Sequence, residues 1–189
     1  MKTISMSGSQ RENVGKKGAK QVRKEGLVPV ALYGHGEQKL LSIAEKQLAK
    51  AVFTPDVNLI NLDVNGEKHL AILQEVQFHP VTDAILHVDL LEVKPEKPVV
   101  VSLPLKITGN SVGVLKGGKL VKKFRKLKVK GLIEHLPEHI TIDISSLDIN
   151  NSIRVSDMKN ENLTFLDNPS SVIVAVLPTR AAMAQESGK

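Results

Sequence analysis

Short segments typical of β-strands dominate the first half of the chain. In some of them polar and apolar residues alternate, and in others aliphatic residues form a run that ends at a turn-forming residue. The predicted strands cover residues 3–7, 28–33, 40–43, 59–64, 67–76 and 84–93. Asn65 and Gly66 separate two of these strands and accept the positive φ angles of a two-residue turn, so a hairpin is predicted there.

Two helices are expected between those strands. Residues 44–52 place apolar side chains at the spacing of one helix face, and Pro55 marks the end of that helix. Residues 11–24 are basic and interrupted by glycine, which indicates a loop that enters a short helix. The first half is therefore predicted to be a small mixed α+β domain in which strands predominate.

A charged segment bracketed by prolines, residues 94–98, is predicted to link two domains. The segments beyond it are rich in β-branched residues, and they cover residues 99–107, 120–133, 140–144, 152–155 and 172–177. None of them has the periodicity of a helix. The sequence therefore predicts a mainly β protein, with a first domain at residues 1–93 and an all-β sandwich or barrel at residues 99–178. The polar residues 179–189 are expected to be a disordered tail.

The composition excludes several classes of protein. Of the 189 residues 41% are hydrophobic, but the aromatic residues are only four Phe and one Tyr, and there is no Cys. The core must therefore be aliphatic, and disulfides, cysteine-ligated metals and thiol chemistry are excluded. The longest apolar run, residues 172–177, is far shorter than the roughly 18 residues of a membrane helix, and the N-terminus lacks an apolar signal core. We expect a soluble, cytoplasmic protein.

Basic residues exceed acidic residues by 26 − 20 = 6, and the excess is concentrated in two patches. The first consists of Arg11, Lys16, Lys17, Lys20, Arg23 and Lys24. The second extends from Lys116 to Lys130, with eight basic residues and no acid. Either patch suits a polyanion such as nucleic acid, but either can equally be a solvated surface. Charge alone does not decide between these two interpretations.

Two motifs match the letters of enzyme or metal sites but not their structural requirements. Gly113-Val-Leu-Lys-Gly-Gly-Lys119 resembles a phosphate-binding loop, yet Leu120 occupies the position of the magnesium-binding Ser or Thr, and no helix is predicted to follow. Its Gly-Gly pair is predicted to be a hairpin turn. The segment from His135 to His139 matches a zinc pattern that requires a helix, but Pro137 lies inside it. We predict two exposed loop histidines there and no metal site.

His87 and Asp89 form a third candidate. On a strand these two side chains point to the same side, as half of a metal site or an acid–base pair would require. The sequence places no third ligand near them, so a pair that hydrogen-bonds on a sheet face is the better interpretation. Such a pair can also hydrogen-bond to nucleotides, and the upstream basic patch favours this reading. No cofactor is predicted.

Residue patterns along nearly the whole chain resemble one known family. The first half has Arg11, Gly15-Lys16, Gly18, Lys20, Arg23, Gly26, Pro29 and Tyr33-Gly34, then Gln74-Glu-Val-Gln77, His79-Pro80 and Leu86-His-Val-Asp89. The second half has Gly113-Val114, Gly117-Gly118, Leu120, Leu136-Pro137, Ile142-Asp-Ile-Ser145, Ile153, Val155 and Asp157. These patterns are similar to the 5S-rRNA-binding proteins of the bacterial large ribosomal subunit, in the longer form of the general stress protein Ctc type.

This resemblance implies a first domain that is a small β-barrel with short helices and binds 5S rRNA in the minor groove. It also implies which residues contact the RNA: Arg11, Lys16, Lys17, Lys20, Arg23, Tyr33, Gln74, His87 and Asp89. The function implied is that of a structural, non-catalytic component of the large subunit. The alternative is a stress-related protein whose C-terminal domain contacts proteins or a second RNA surface on the ribosome.

The sequence departs from that family at a few positions. Phe78 stands where many members have a basic residue, and Lys20 stands where some have Arg. Asn150 and Asn151 replace a turn that contains glycine, which asparagine tolerates because it adopts left-handed backbone angles at modest cost.

A further RNA contact is suggested by the residue pattern of the second patch. Lys126, Lys128 and Lys130 alternate with apolar residues and are therefore expected to share one strand face.

Overall fold

The computed structural model describes residues 1–34, 36, 38–158, 160 and 162–180. The chain divides into two compact units, of which the first is Met1–Val99 and the second begins at Val100. The segment predicted as a linker lies at the end of the first unit. Within it the Lys97 N–H donates to the Lys94 carbonyl oxygen at 3.2 Å, so it forms a turn.

The first unit is a closed six-stranded barrel with two helices. Its elements are β1 (Thr3–Gln10), α1 (Lys16–Lys24), β2 (Leu27–Tyr33), β3 (Lys39–Ala44), α2 (Glu45–Val52), β4 (Leu59–Val64), β5 (Glu67–Phe78) and β6 (Ile85–Glu92). The strands follow the order β1-β3-β2-β6-β5-β4, and a parallel pairing of β4 with β1 closes the barrel. Every predicted strand of this half is present, and the barrel with short helices is confirmed.

The β4–β5 hairpin forms where the sequence predicts it. Asn65 and Gly66 have φ angles of 54° and 93°, the left-handed values that a tight turn requires. The Gly66 N–H also donates to Oδ1 of Asp63 at 2.9 Å, which holds the turn closed.

Aliphatic side chains fill the barrel, as the lack of aromatic residues requires. Val88 and Leu90 of β6 are fully buried, and α2 adds Leu48 and Ala51 to the same core. Side chains alternate between the two faces of a strand. Because Val88 points into the core, its neighbours His87 and Asp89 have their side chains on the outer surface. The core pattern thus determines which residues of β6 can meet a ligand.

The second unit contains two separate sheets, and its first strand begins one residue before the unit boundary, at Val99. Its elements are β7 (Val99–Thr108), α3 (Val112–Leu115), β8 (Lys119–Lys122), β9 (Lys126–Gly131), β10 (Ile140–Asp143), β11 (Ser152–Arg154), β12 (Thr164–Phe165) and β13 (Val172–Leu177), with 3₁₀ turns at Ile133–His135 and Val155–Asp157. One sheet has the order β10-β7-β9-β12 and the other β11-β13-β8. The C-terminal β domain is confirmed, and it consists of these two sheets.

Three local predictions for the second unit are wrong. Residues 120–133 form two strands in different sheets, because the chain crosses between the sheets at Arg125, whose carbonyl oxygen accepts from the Leu105 N–H at 3.0 Å. Gly117 is not in a hairpin turn, since it follows the one-turn helix α3 and has a φ of 90°. His139 is half-buried, although His135 is exposed as expected. The left-handed turn at Asn150 is confirmed by its φ of 64°.

The predicted disordered tail falls largely on residues 181–189, which lie outside the described part of the chain. Thr179, at its start, donates its hydroxyl to the Gly117 carbonyl oxygen at 2.6 Å. In the part of the chain that the structure describes, no helix combines the length and the apolar character needed to cross a membrane.

Candidate nucleic-acid interface

The outer face of the barrel carries a polar group of side chains on β2 and β6. His87 and Asp89 flank the buried Val88, and Nδ1 of His87 lies 3.1 Å from Oδ1 of Asp89. Their side chains are 29% and 26% exposed, so both are held by the sheet and still reach solvent. The prediction that they share one strand face is confirmed.

Strand pairing brings further polar residues to the same face. Glu75 of β5 pairs with Asp89, and Gln77 pairs with His87. Gln74 is the extra residue where the register shifts between Leu73 and Glu75, and it is exposed. Glu75 and Gln77 occur in the family pattern but are not predicted as RNA contacts, because their position depends on this irregularity, which strand alternation does not reveal.

Tyr33 ends β2 next to this face, where it pairs with Leu91 of β6. Partial burial raises the pKa of its hydroxyl, and the negative charges of Asp89 and Glu75 raise it further. The hydroxyl therefore keeps its proton at neutral pH and can donate a hydrogen bond. Carboxylates, amides, an imidazole and a phenol on one surface match the 2′-hydroxyls and base edges of an RNA minor groove.

Helix α1 lies against β2 and supplies the positive charge. At about 100° per residue, its five basic side chains fall within roughly 120° of arc on the solvent side. They are Lys16, Lys17, Lys20, Arg23 and Lys24, and all are exposed. The opposite side contains Gly18, which is buried.

Arg23 connects this basic face to the polar barrel face. Its Nε donates to the Leu86 carbonyl oxygen at 3.0 Å, one residue before His87. The remaining guanidinium donors stay exposed beside the polar group. The structure thus places Arg23 beside the polar face, and Lys16 and Lys20 lie on the same side of α1 as Arg23.

Arg11 is placed differently from the helix cations. Its residue is half-buried, and Nη2 donates to the Asn13 carbonyl oxygen at 3.0 Å, which orders the loop before α1. Gly18 packs against the same carbonyl oxygen so closely that a Cβ at this position would clash with it. The loop and the helix are therefore packed as one piece.

Two lysines of the second basic patch have hydrogen-bond partners within the protein. Lys116 pairs with Asp148 at 2.6 Å, and Lys122 donates to the Leu105 carbonyl oxygen at 2.7 Å. On β9 the exposed residues are Lys126, Lys128 and Lys130, and they alternate with Leu127 and Val129, which are fully buried. The predicted sharing of one strand face by these three lysines is confirmed.

The described residues contain no group of three or more His, Asp or Glu side chains that could hold a metal ion. The candidate zinc motif does not form the helix it requires, because His135 ends the 3₁₀ turn at Ile133–His135 and the chain is extended at Leu136, before His139. A polar barrel face beside a basic helix suits a β-rich module that binds nucleic acid.

Comparisons with known proteins give the family. The model of the ribosomal L25p family matches residues 6–90, and the model of the ribosomal protein TL5 C-terminal domain matches residues 98–180. A large ribosomal subunit protein bL25 from Porphyromonas gingivalis is 43% identical over 96% of both chains. Proteins of the same name from Azobacteroides pseudotrichonymphae and Bacteroides thetaiotaomicron are 40% and 37% identical, over 99% and 96% of this chain and 100% and 95% of theirs. The chain belongs to the ribosomal L25p family, and it is a structural ribosomal protein rather than an enzyme.

Proposed function

We propose that the chain is a component of the large ribosomal subunit in the bacterial cytoplasm, where its first unit binds 5S rRNA. The observation that carries this proposal is the position of the basic face of α1 beside the polar barrel face, joined by the contact of Arg23 with Leu86. Cations there neutralise phosphates, and the polar face hydrogen-bonds in the minor groove. The choice of 5S rRNA rests on the resemblance of the sequence motifs, and the choice of subunit on the names of the relatives.

The division of roles follows from chemistry. Lys16, Lys20 and Arg23 meet phosphates and set the position of the RNA, with Lys17 and the half-buried Arg11 as further contacts. Tyr33 donates a hydrogen bond, and Asp89 accepts one from a 2′-hydroxyl or a base amino group. A carboxylate would repel a phosphate at the same place, so the acidic face and the basic helix must contact different parts of the RNA.

A native-salt pull-down of the tagged full-length chain from a bacterial lysate tests the proposal. We expect large subunits and 5S rRNA to be recovered, and a variant with Lys20→Gln and Arg23→Gln to recover less of both. A matched control replaces Lys94 and Lys97, two exposed cations that are not part of α1, with glutamine. Recovery of neither RNA nor large subunits with the unmodified chain would contradict the proposal.

The exposed lysines of β9 favour a second RNA contact by the second unit. Lys126, Lys128 and Lys130 repel one another, and the fold tolerates this most easily if the face is solvated or lies against a polyanion. The carboxylate of Asp167 accepts a hydrogen bond from the backbone N–H of Lys128 at 2.7 Å. We infer a sequence-independent phosphate contact for this face on the assembled ribosome.

A further inference from the structure

An exposed pair of phenylalanine rings lies on the first unit, and the binding surface described above does not account for it. Phe53 is 65% exposed and Phe78 is 43% exposed, and their ring centroids are 6.1 Å apart with planes tilted by 40°. The whole chain has only four phenylalanines. Large apolar side chains that remain in solvent as a contiguous group indicate a binding surface.

Two lysines lie on the same side of α2 as Phe53. At about 100° per residue, Lys46, Lys50 and Phe53 fall within roughly 60° of arc. Both lysines are exposed, and the only acid of the helix is its first residue, Glu45. We call Lys46, Lys50, Phe53 and Phe78 the aromatic patch. Its charge suits a polyanion, and its rings suit a flat apolar group.

The backbone under both rings is held in place. The Phe53 N–H donates to the Ala49 carbonyl oxygen at 3.1 Å, and the hydroxyl of Thr54 donates to the Lys50 carbonyl oxygen at 2.6 Å. After Phe78, the His79 N–H donates to the Ala84 carbonyl oxygen at 2.8 Å, which closes the following turn. The two rings are therefore presented by ordered backbone, which lowers the entropic cost of binding.

The aromatic patch lies next to the polar barrel face along β5. Phe78 follows Gln77, the register partner of His87, across a register shift, and both Gln77 and Phe78 are exposed. An RNA bound across the polar face would therefore pass close to the rings. Stacking of a nucleobase needs that base to be unpaired, because a base inside a duplex already has neighbours on both sides.

We propose that the aromatic patch binds an unpaired nucleotide, whose base stacks on Phe53 or Phe78 and whose phosphates contact Lys46 and Lys50. Positive charge interleaved with aromatic rings is the combination by which proteins bind single-stranded nucleic acid. The flanking lysines favour RNA over the apolar side chain of a protein partner. The inference rests on the proposed function only for the identity of the RNA, which there is 5S rRNA.

The test uses the full-length chain with leucine in place of both Phe53 and Phe78, which keeps apolar bulk and removes the rings. Binding is measured to 5S rRNA and to a single-stranded oligoadenylate of about twelve nucleotides, within the usual site size. We expect affinity for each RNA to fall at least about fivefold, the loss that follows removal of one base stack, with an unchanged salt dependence. Replacement of Lys46 and Lys50 with glutamine should instead make the salt dependence less steep.

Two controls separate stacking from other effects. Val81→Ala removes exposed apolar surface from the adjacent turn without removing a ring, because Val81 is 84% exposed, and it should leave both affinities unchanged. The thermal unfolding midpoint of the leucine variant should match that of the unmodified chain within a few degrees. If the midpoint falls further, single Phe53→Leu and Phe78→Leu variants at a temperature where each is folded replace it.

The outcomes distinguish this inference from the proposed function. Unchanged affinity of the leucine variant for both RNAs overturns the inference. A loss seen only with intact large subunits and not with free RNA also overturns it, because the patch then contacts a protein. If the unmodified chain binds oligoadenylate through the rings but does not bind 5S rRNA, the proposed function fails and the inference stands. If the chain binds neither RNA, both fail.

Discussion

His87 and Asp89 owe their position to the alternation of side chains on a single strand. Replacing either residue with alanine should weaken binding to 5S rRNA by about 1–3 kcal/mol, because a hydrogen bond in the groove is lost. Binding to an unrelated RNA should barely change, since contacts with phosphates supply that affinity. Titration of both RNAs at one salt concentration measures the difference. Equal losses on the two RNAs would contradict a role of this pair in recognition.

Gly18 is the residue on which the position of α1 depends. A Cβ there would collide with the Asn13 carbonyl oxygen, and a backbone atom cannot move aside as the end of a long side chain can. We expect Gly18→Ala to destabilise the first unit by roughly 1–3 kcal/mol in denaturant unfolding. Lys24→Ala, an exposed change on the same helix, is the matched control and should shift the stability by less than about 0.5 kcal/mol. Equal stability of the two variants would show that the loop at Asn13 moves to make room for the added Cβ.

At the residue scale, the sequence predicts the outward position of a side chain wherever alternation is regular. It predicts the His87–Asp89 pair for this reason, and it predicts the turn at Asn65-Gly66 from intrinsic backbone preference. The position of Glu75 and Gln77 on the polar face is not predicted, because the pairing of β5 with β6 changes register twice along its length. A shift of one residue reverses the face of every side chain beyond it, and nothing in the local pattern marks the place.

Among the elements, α1 carries the basic side chains that are proposed to contact phosphates. Neutralising Lys20 with glutamine should lower the affinity for RNA and reduce the slope of log K against log salt by up to about 1, since one phosphate contact is lost. Arg23→Gln should do the same and also remove the contact with the Leu86 carbonyl oxygen. A salt slope identical to that of the unmodified chain in both variants would contradict the phosphate contacts.

The three exposed lysines of β9 are predicted to hold the second unit to the large subunit through charge. Replacing Lys126, Lys128 and Lys130 with glutamine should leave the unfolding midpoint and 5S rRNA binding nearly unchanged, because the three side chains are exposed on the second unit. The variant should dissociate from whole large subunits at lower salt than the unmodified chain. Sedimentation over a salt series measures this. The matched control removes three charges from the first unit, at Lys68, Lys94 and Lys97.

If the β9 variant leaves the subunit at the same salt concentration as the unmodified chain, the face is only a solvated surface.

The strands of the second unit also show how far secondary structure can be predicted from the sequence. The alternation in β9 is visible in the sequence, but the break between β8 and β9 is not, because the residues between them are as basic as the strands themselves. β12 consists of two residues, too few to give any periodic signal.

At the scale of the whole molecule, the positive charge is distributed over both units rather than over one. The basic face of α1 belongs to the first unit, and the lysines of β9 belong to the second. Each unit also has its own buried aliphatic residues, such as Leu90 in the first and Leu103 in the second. Because each of the two compact units carries its own basic surface, we predict that RNA binding divides between the units.

The last prediction follows from that division. Residues 1–99, expressed alone, should fold and bind 5S rRNA with nearly the affinity of the full chain, because every residue of the polar barrel face and of the first basic patch precedes the boundary at Val99. Residues 100–189 alone should bind 5S rRNA weakly, with no preference over an unrelated RNA of the same length, since the lysines of β9 contribute charge without base recognition. Both halves are compared with the full chain by titration at one salt concentration, after circular dichroism has shown β structure in each. If the second half alone bound 5S rRNA as tightly as the full chain does, the site would lie in the second unit and the assignment to the barrel would be wrong.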